Sequence, residues 1–225
     1  MKLDPHIHSC YSGDARSIPK DILKQAKNVG LDVIAISDHN TIQGSKLAIG
    51  ERKSSDVIII PSIEISSDSG HILGLGVSEN ITEGLSPEDT VDKIHDNGGI
   101  AIVPHPYSFY RNGLFSDFNN NLTLNLDIEG VETKNARYIL GYSNYKGKKL
   151  AIKRNLAQIG SSDSHFIGAI GNCYTELTDI AIEDEPSIDD ILETIRKRKT
   201  IAKGHRTSNY LIAKEVFNKK IRRIY

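Results

Sequence analysis

Short apolar runs alternate with amphipathic segments along most of this chain, and several of the runs end on a histidine or a carboxylate. That alternation narrows the folds open to it. Runs at 33–37, 57–60, 71–77, 100–103, 127–133, 159–161 and 200–203 read as strands, after a first one that leads into Asp4-Pro5-His6-Ile7-His8. Residues 19–29 read as a helix, because Ile22, Leu23, Ala26 and Val29 share a face, Pro19 suits a first turn and Gly30 an end. Further helices are expected at 41–48, at 86–97 behind a Ser86 cap, at 148–156 and at 187–199, with a helical tail over about 207–225. Repeated strand-then-helix units predict an α/β fold with a largely parallel sheet. Roughly seven such units fit the length, and a barrel or near-barrel gathers polar residues at the carboxyl ends of its strands. The polar stretch 112–125 reads as an exposed loop. No linker or repeat divides the chain, so one domain over 1–225 is expected.

The length of 225 residues suffices for one sizeable core. A net charge of −1 speaks against coating a polyanion, though it leaves room for a local basic patch. Cys10 and Cys173 form no C-x-x-C motif and are too sparse for a disulfide scaffold, which points to a reducing, cytoplasmic setting. Asp4, His6 and His8 interrupt any signal-peptide apolar core, and no apolar run approaches a membrane span.

His6 and His8 lie on one side of an extended strand, where two imidazoles can grip one metal ion. Asp38-His39, Glu64, His71, His105-Pro106 and Asp163-Ser164-His165 follow, most of them at strand ends. With Asp14 and without Asp38, the set holds nine candidate ligands: His6, His8, Asp14, His39, Glu64, His71, His105, Asp163 and His165. One four-coordinate ion needs fewer, so two or three ions sharing a bridging carboxylate are expected. Mixed imidazole and carboxylate ligands favour Zn, Mn or Fe over Ca or Mg, and no thiolate suggests a structural zinc knuckle. Clustered ions acidify a water, orient it as a nucleophile and neutralise charge on a phosphoryl oxygen, which suits hydrolysis of phosphate esters.

Asp4-Pro5-His6-Ile7-His8-Ser9, Ser37-Asp38-His39-Asn40, Glu64, His105-Pro106 and Ser162-Asp163-Ser164-His165 resemble the motifs of the PHP (polymerase and histidinol phosphatase) family of metal-dependent phosphoesterases. The resemblance runs from residue 4 to about 175, in the family's order. It implies a distorted (β/α)7 barrel with a trinuclear site at its carboxyl face. It also implies a ligand assignment: His6, His8, Glu64 and Asp163 on one ion, Glu64 with His71 and His105 on a second, and Asp14, His39 and His165 on a third. Many members place His where this chain has Asp14, and a branch of short enzymes has Asp; an acidic ligand favours a harder ion such as Mn. Glu64, Asp163 and His165 are the implied catalytic residues, although ligation limits Asp163 and His165 as free bases. The substrate implied is a phosphorylated metabolite, a nucleotide or a short nucleic acid's 5′ end. Asp4 and Asp38 adjoin ligands and are expected to orient them through hydrogen bonds.

A substrate phosphate needs donors, and Arg16, Lys134, Asn135, Arg137, His205 and Arg206 are the candidates on loops after strands. Each has an ordinary reading too. Arg16 and Arg137, taken singly, read as surface charges; His95 reads as solvated; Cys10 reads as a small buried filler; Lys219 to Arg223 read as a solvated basic end. Two rival functions stand beside the phosphoesterase. An amidohydrolase-type C–N hydrolase also uses H-x-H, but Glu64 in place of a bridging lysine counts against it. A non-catalytic PHP module of an RNA-processing complex is expected to lose ligands, and this chain retains all nine.

Overall fold

The computed structural model describes residues 1–53, 57–108, 111–115, 126–138, 141–180 and 186–222. Its elements are β1 (Lys2–Ile7), α1 (Pro19–Asn28), β2 (Val33–Ile36), α2 (Gln43–Glu51), β3 (Ile58–Ser66), β4 (His71–Leu75), α3 (Pro87–Asp96) and β5 (Ile100–Val103). These are followed by β6 (Gly130–Asn135), α4 (Tyr142–Arg154), β7 (Ala157–Ser161), β8 (Cys173–Leu177), α5 (Ile188–Arg196), β9 (Thr200–Gly204) and α6 (Asn209–Arg222). The helices start where local chemistry favours it. Pro19 and Pro87 occupy first-turn positions, and Ser86 Oγ accepts from the Asp89 amide at 3.0 Å. Ser187 and Asp190 form a reciprocal capping box on α5. On α1, Ile22, Leu23 and Ala26 are buried, whereas Val29 sits at the C-cap, 41% exposed.

Among the described residues the strands form one sheet in the order β7-β6-β5-β4-β3-β2-β1-β8-β9. β1–β2–β3 and β5–β6–β7 are parallel; β4 runs antiparallel to both its neighbours, as does β8. The sheet is therefore mixed, not largely parallel. The four residues between β3 and β4 cannot carry a crossover helix, so that pair must be a hairpin. The sheet curls until β7 meets β1 again. His8 N donates to Ser164 O at 2.9 Å, and Ser162 N to Asp4 Oδ1 at 3.0 Å. A nearly closed barrel of β1 to β7 results, with β8 and β9 packed along its seam. There Gly160 N donates to Thr175 Oγ1 at 3.0 Å, and a Cβ on Gly160 would lie 2.3 Å from the Tyr174 carbonyl oxygen.

The barrel interior is filled by Leu3, Val33, Ala35, Ile60, Leu73, Ile102 and Ile159, and α5 joins this cluster through Ile191, Leu192 and Ile195. Each leucine, isoleucine or valine among them contributes about 1.5–3 kcal/mol by leaving water. The outer faces bury Ile34 and Ile36 with α1, and Ile72, Ala101, Val103 and Val131 with α3 and α4. Among the described residues no helix is long and apolar enough to cross a membrane.

Two β-bulges decide what faces inward. Leu3 points into the barrel, so an unbroken two-residue period would send His6 and His8 outward. The β1–β2 register slips between Asp4 and Ile7, turning both histidines inward and Ile7 outward. A second slip between Glu132 and Lys134 of β6 keeps Glu132 and Asn135 inside and turns Thr133 and Lys134 out.

Some local expectations differ from the structure. β8 is a strand beyond those expected from sequence: Cys-Tyr-Thr-Glu-Leu is short and of mixed polarity. α4 begins at Tyr142, ahead of residue 148: Gly147, which reads as a helix breaker, is where α4 touches β6, and a Cβ there would lie 2.6 Å from the Glu132 carbonyl oxygen. Cys10 is exposed and not a buried filler, because it opens a one-turn helix, Cys10–Ser12, on the surface. Of the stretch expected as an exposed loop, Leu114 and Phe115 are buried against the α3 side of the sheet, and 116–125 lie outside the described residues. The tail is helical over α6; residues 223–225, and the side chains of the basic end, lie outside the described residues.

Candidate metal centre

The nine ligand candidates arrive from six strands and one loop. His6 and His8 follow from β1, His39 from β2, Glu64 from β3, His105 from β5, and Asp163 and His165 from β7. β4 runs the opposite way, so its first residue, His71, reaches the same rim. Asp14 comes from the loop after the Cys10–Ser12 turn. Four residues at this rim, Asn40, His105, Asn112 and Asp163, hold positive φ angles of 55°, 29°, 47° and 48°. Non-glycine residues rarely adopt that conformation, and it recurs where surroundings force a side chain into a site.

Glu64 lies at the centre. Its Oε1 is 2.9 Å from His71 Nδ1 and 3.0 Å from His105 Nε2; its Oε2 is 3.1 Å from His39 Nδ1, 3.3 Å from His8 Nε2 and 3.4 Å from His6 Nε2. Asp163 Oδ1 lies 3.6 Å from His165 Nδ1 and 3.7 Å from His8 Nε2. Asp14 Oδ2 is 2.9 Å from His165 Nε2 and 3.8 Å from His39 Nε2. The nine residues fall into four overlapping groups whose ligand atoms lie within 4.8 Å of one another. These are His8, Asp14, His39 and His165; His6, Glu64 and His105; His6, His8 and Asp163; and His39, Glu64 and His71.

The surrounding shell fixes these rings. His6 Nδ1 donates to Glu132 Oε1 at 2.8 Å, and His8 Nδ1 pairs with Ser12 Oγ at 2.9 Å, leaving both Nε2 atoms directed inward, 3.0 Å apart. Asp38 takes the Ser9 amide and hydroxyl at 2.6 Å each, and Asp4 takes the amides of Ser162 and Gly171 at 3.0 Å each. Both carboxylates thus hold the loops that carry ligands. Burial opposes charge on Glu64, but His71, His6 and His39 outweigh it and hold the carboxyl well below its usual range. Burial likewise opposes charge on Asp163, and Arg111, His6 and Arg137 outweigh it. Burial and His165 hold His8 well down, and burial holds His105 down, so both favour the neutral imidazole. Burial also works against charge on His6 and His71, but Glu64 beside them draws both up. Ionised carboxylates among convergent imidazole nitrogens make a donor set that fits divalent transition metals. Among the described residues His105 Nδ1 is also buried without a hydrogen-bond partner.

Residues 141–200 match the PHP-associated family. The uncharacterized protein MJ1587 of Methanocaldococcus jannaschii is 41% identical over 154 residues, 64% of this chain and 87% of that one. A two-domain protein from Bacteroides vulgatus, containing a predicted PHP-like metal-dependent phosphoesterase, superposes with a TM-score of 0.75 at 20% identity. That match covers 97% of this chain and 69% of the other. The chain belongs to the PHP family. In fold, this PHP chain also resembles endonuclease Q, solved with a 27-mer duplex bearing an abasic lesion at its active site. The TM-score is 0.62 at 14% identity, over 87% of this chain and 56% of that one.

The PHP site opens into a cavity of about 210 Å³ lined by eight of the nine ligand candidates together with Arg111, Asn112 and Arg137. Arg137 Nη1 lies 2.8 Å from His165 Nδ1 and 3.4 Å from Asp163 Oδ1. Asn135 is buried beneath it, donating to Asp163 Oδ2 at 3.0 Å and to Glu132 Oε2 at 2.8 Å. The other expected phosphate donors sit elsewhere. Arg16 is exposed outside the cavity. Lys134 faces a separate cleft behind β6, because of the bulge. His205 and Arg206 are exposed after β9, where Arg206 Nη1 reaches the Tyr138 carbonyl. His95 pairs with Glu129 at 3.1 Å on α3's flank, so it is not merely solvated.

Two residues of the PHP site have no role in the expectations from sequence, although Glu132 is the residue that the 127–133 strand delivers. Arg111 reaches Asp163 and lies over the Tyr138 ring at 4.7 Å; it comes from a loop without periodic pattern. Glu132 is fully buried behind His6, and its one signal is an acidic residue ending an apolar strand.

Proposed function

We propose that this PHP protein is a metal-dependent phosphoesterase, and that residues 1–225 act as one domain with α6 as its helical tail. The observation that carries this reading is the meeting of two guanidinium groups, Arg111 and Arg137, on the carboxylate of Asp163, inside a ring of metal-ligand side chains. His6, His8, Glu64 and Asp163 would hold one ion, Glu64 with His71 and His105 a second, and Asp14, His39 and His165 a third; Mn, Zn and Fe suit these ligands. When bound, such ions supply Lewis acidity to a phosphoryl oxygen and a water acidic enough to be a nucleophile near neutral pH.

The chain's own residues do the rest. Arg111 and Arg137 grip phosphoryl oxygens and oppose the charge that builds on them during displacement. Asn135 locks Asp163 in place, Glu132 locks His6, and Glu64 joins two halves of the ligand set. His165 and Asp163 both touch Arg137, which couples the ligand set to the guanidinium that meets the phosphoryl oxygens. About 210 Å³ admits a phosphoryl group with part of its ester partner. Paired guanidiniums match an anionic ester better than a neutral amide, which favours this reading over C–N hydrolysis.

The test is a screen of protein reconstituted with Mn, Zn or Fe against phosphomonoesters, 3′,5′-bisphosphonucleotides and short 5′-phosphorylated RNA. Phosphate release that disappears in Arg111→Ala and Asp163→Asn supports the reading. Ammonia release from amide substrates, or absence of metal uptake by mass spectrometry, overturns it.

A further inference from the structure

Residues 133–162 carry seven Lys and Arg and no Asp or Glu, in a chain whose net charge is −1. Most of that charge sits on α4. Its buried residues are Gly147, Leu150 and Ala151, which face the sheet. Its outer face presents Tyr142 and Tyr145, 64% and 56% exposed, with Lys148, Lys149, Ile152 and Lys153 also exposed. The lysines lie against the rings: Lys146 Nζ is 5.0 Å from the Tyr107 ring centroid and 5.1 Å from that of Tyr142, and Lys149 Nζ is 4.6 Å from that of Tyr145.

This face connects to the pocket. Tyr107 is two residues past His105, and Ser143 Oγ donates to the Tyr107 carbonyl at 3.2 Å, tying the start of α4 to the cavity rim. From Tyr107 the row passes through Lys146 and Tyr142 to Tyr145, Lys149 and Lys153. On the flank of α4, Tyr145 and Lys148 also line the 280 Å³ cleft that receives Lys134. A solvated basic helix needs neither exposed aromatics nor a thirty-residue run without Asp or Glu; a single-stranded polyanion is served by both, through base stacking and phosphate pairing.

We propose that the outer face of α4 is a docking track for single-stranded nucleic acid, leading from the cavity rim down the side of the barrel. From Tyr142 to Lys153 the helix extends about 16 Å at 1.5 Å per residue. That length matches roughly four or five stacked nucleotides at about 3.4 Å each. The tyrosines stack on bases without reading their identity, and the lysines follow the backbone. Only the placement of the strand's end in the cavity rests on the phosphoesterase reading; the track does not.

The experiment is fluorescence anisotropy with labelled oligo(dT), oligo(U) and a hairpin duplex of equal phosphate count, across a salt series, with metal-loaded and EDTA-treated protein. Single strands should bind more tightly than the duplex. Tyr142→Ala with Tyr145→Ala should weaken them by about fivefold or more per tyrosine. Lys149→Gln with Lys153→Gln should lower the log–log salt slope by about 1.4. Hydrolysis of p-nitrophenyl phosphate esters should be unchanged in both variants, and their melting temperatures should match the parent's. Binding of either sugar type supports the track, and the ratio names the strand it prefers. Equal binding of duplex and single strand, or affinity unchanged by the tyrosine pair, overturns it even if small esters are hydrolysed. Tyrosine-dependent strand binding without ester hydrolysis upholds the track and overturns the phosphoesterase reading.

Discussion

His6 Nδ1 donates to Glu132 Oε1 across 2.8 Å in a setting from which solvent is excluded. The same carboxylate takes the His105 amide at 2.7 Å, so Glu132 orients one ligand by its ring and another by its backbone. Glu132→Gln should therefore weaken metal binding about 10- to 100-fold while leaving all nine ligands present. Competition against a chromogenic chelator measures this. Unchanged affinity would show that Glu132 merely fills space.

Arg111 and Arg137 are expected to act on bound phosphate rather than on metal. Arg111→Ala should lower kcat/KM for a phosphate ester by about 10²- to 10³-fold with metal content intact. Steady-state kinetics paired with metal analysis separates the two effects. Arg137→Lys should recover little of the activity lost in Arg137→Ala, because an ammonium cannot reproduce a planar two-pronged donor.

Metal removal should destabilise the fold, because it leaves five buried or half-buried imidazoles and Glu64 to one another. Ions held at a thousandfold excess over their Kd add about 4 kcal/mol. Calorimetry before and after EDTA, with recovery on adding Mn, reads this. An identical melting temperature in both states would argue against a tightly held ion.

The two thiols should differ. Cys10 is exposed, while Cys173 is buried, its sulfur 3.2 Å from the His205 carbonyl oxygen, and burial pushes its pKa from 9.0 up to about 12. One thiol should react with a chromogenic disulfide reagent in the native state and two after unfolding. The folded pKa lies above the unfolded one, so between about pH 9 and 12 the unfolded chain sheds a proton that the folded chain keeps. Stability falls with rising pH across that window. Cys173→Ala should flatten the fall by up to about 1.4 kcal/mol per pH unit in denaturant titrations.

Gly160→Ala should destabilise strongly, by about 1–3 kcal/mol or more, because the added methyl meets backbone and not a flexible side chain. Thermal melts report it, and a neutral result would mean that the β8–β9 seam can slide away.

The convergence of the nine candidate ligands was legible in the sequence because each motif combines a side chain able to ligate with a strand end, and both signals are local. What decides which way a side chain points was not. Lys134 follows Glu132 by two residues, so an even strand puts both in the cavity; the bulge between them separates them. His6 and His8 read correctly as a pair, yet their inward direction depends on a slip that no residue type in Asp4-Pro5-His6 announces. Arg111 belongs to a loop, where neither a two- nor a 3.6-residue period exists to reveal its aim. β8 earns its place through pairing with β1 and β9, a tertiary cause invisible in five residues of mixed polarity.

The closure of β7 onto β1 has a consequence for how the protein comes into being. Ser162 and His6, 156 residues apart, meet where the ligands converge, so the ring of side chains is complete only when the two ends of the barrel have found each other. Contacts that distant form slowly during folding. An ion of the proposed cluster arriving early would find only fragments of its cage, and one arriving late would act as a clasp on a finished hoop. Metal capture at such a site would thereby also be a checkpoint on chain assembly.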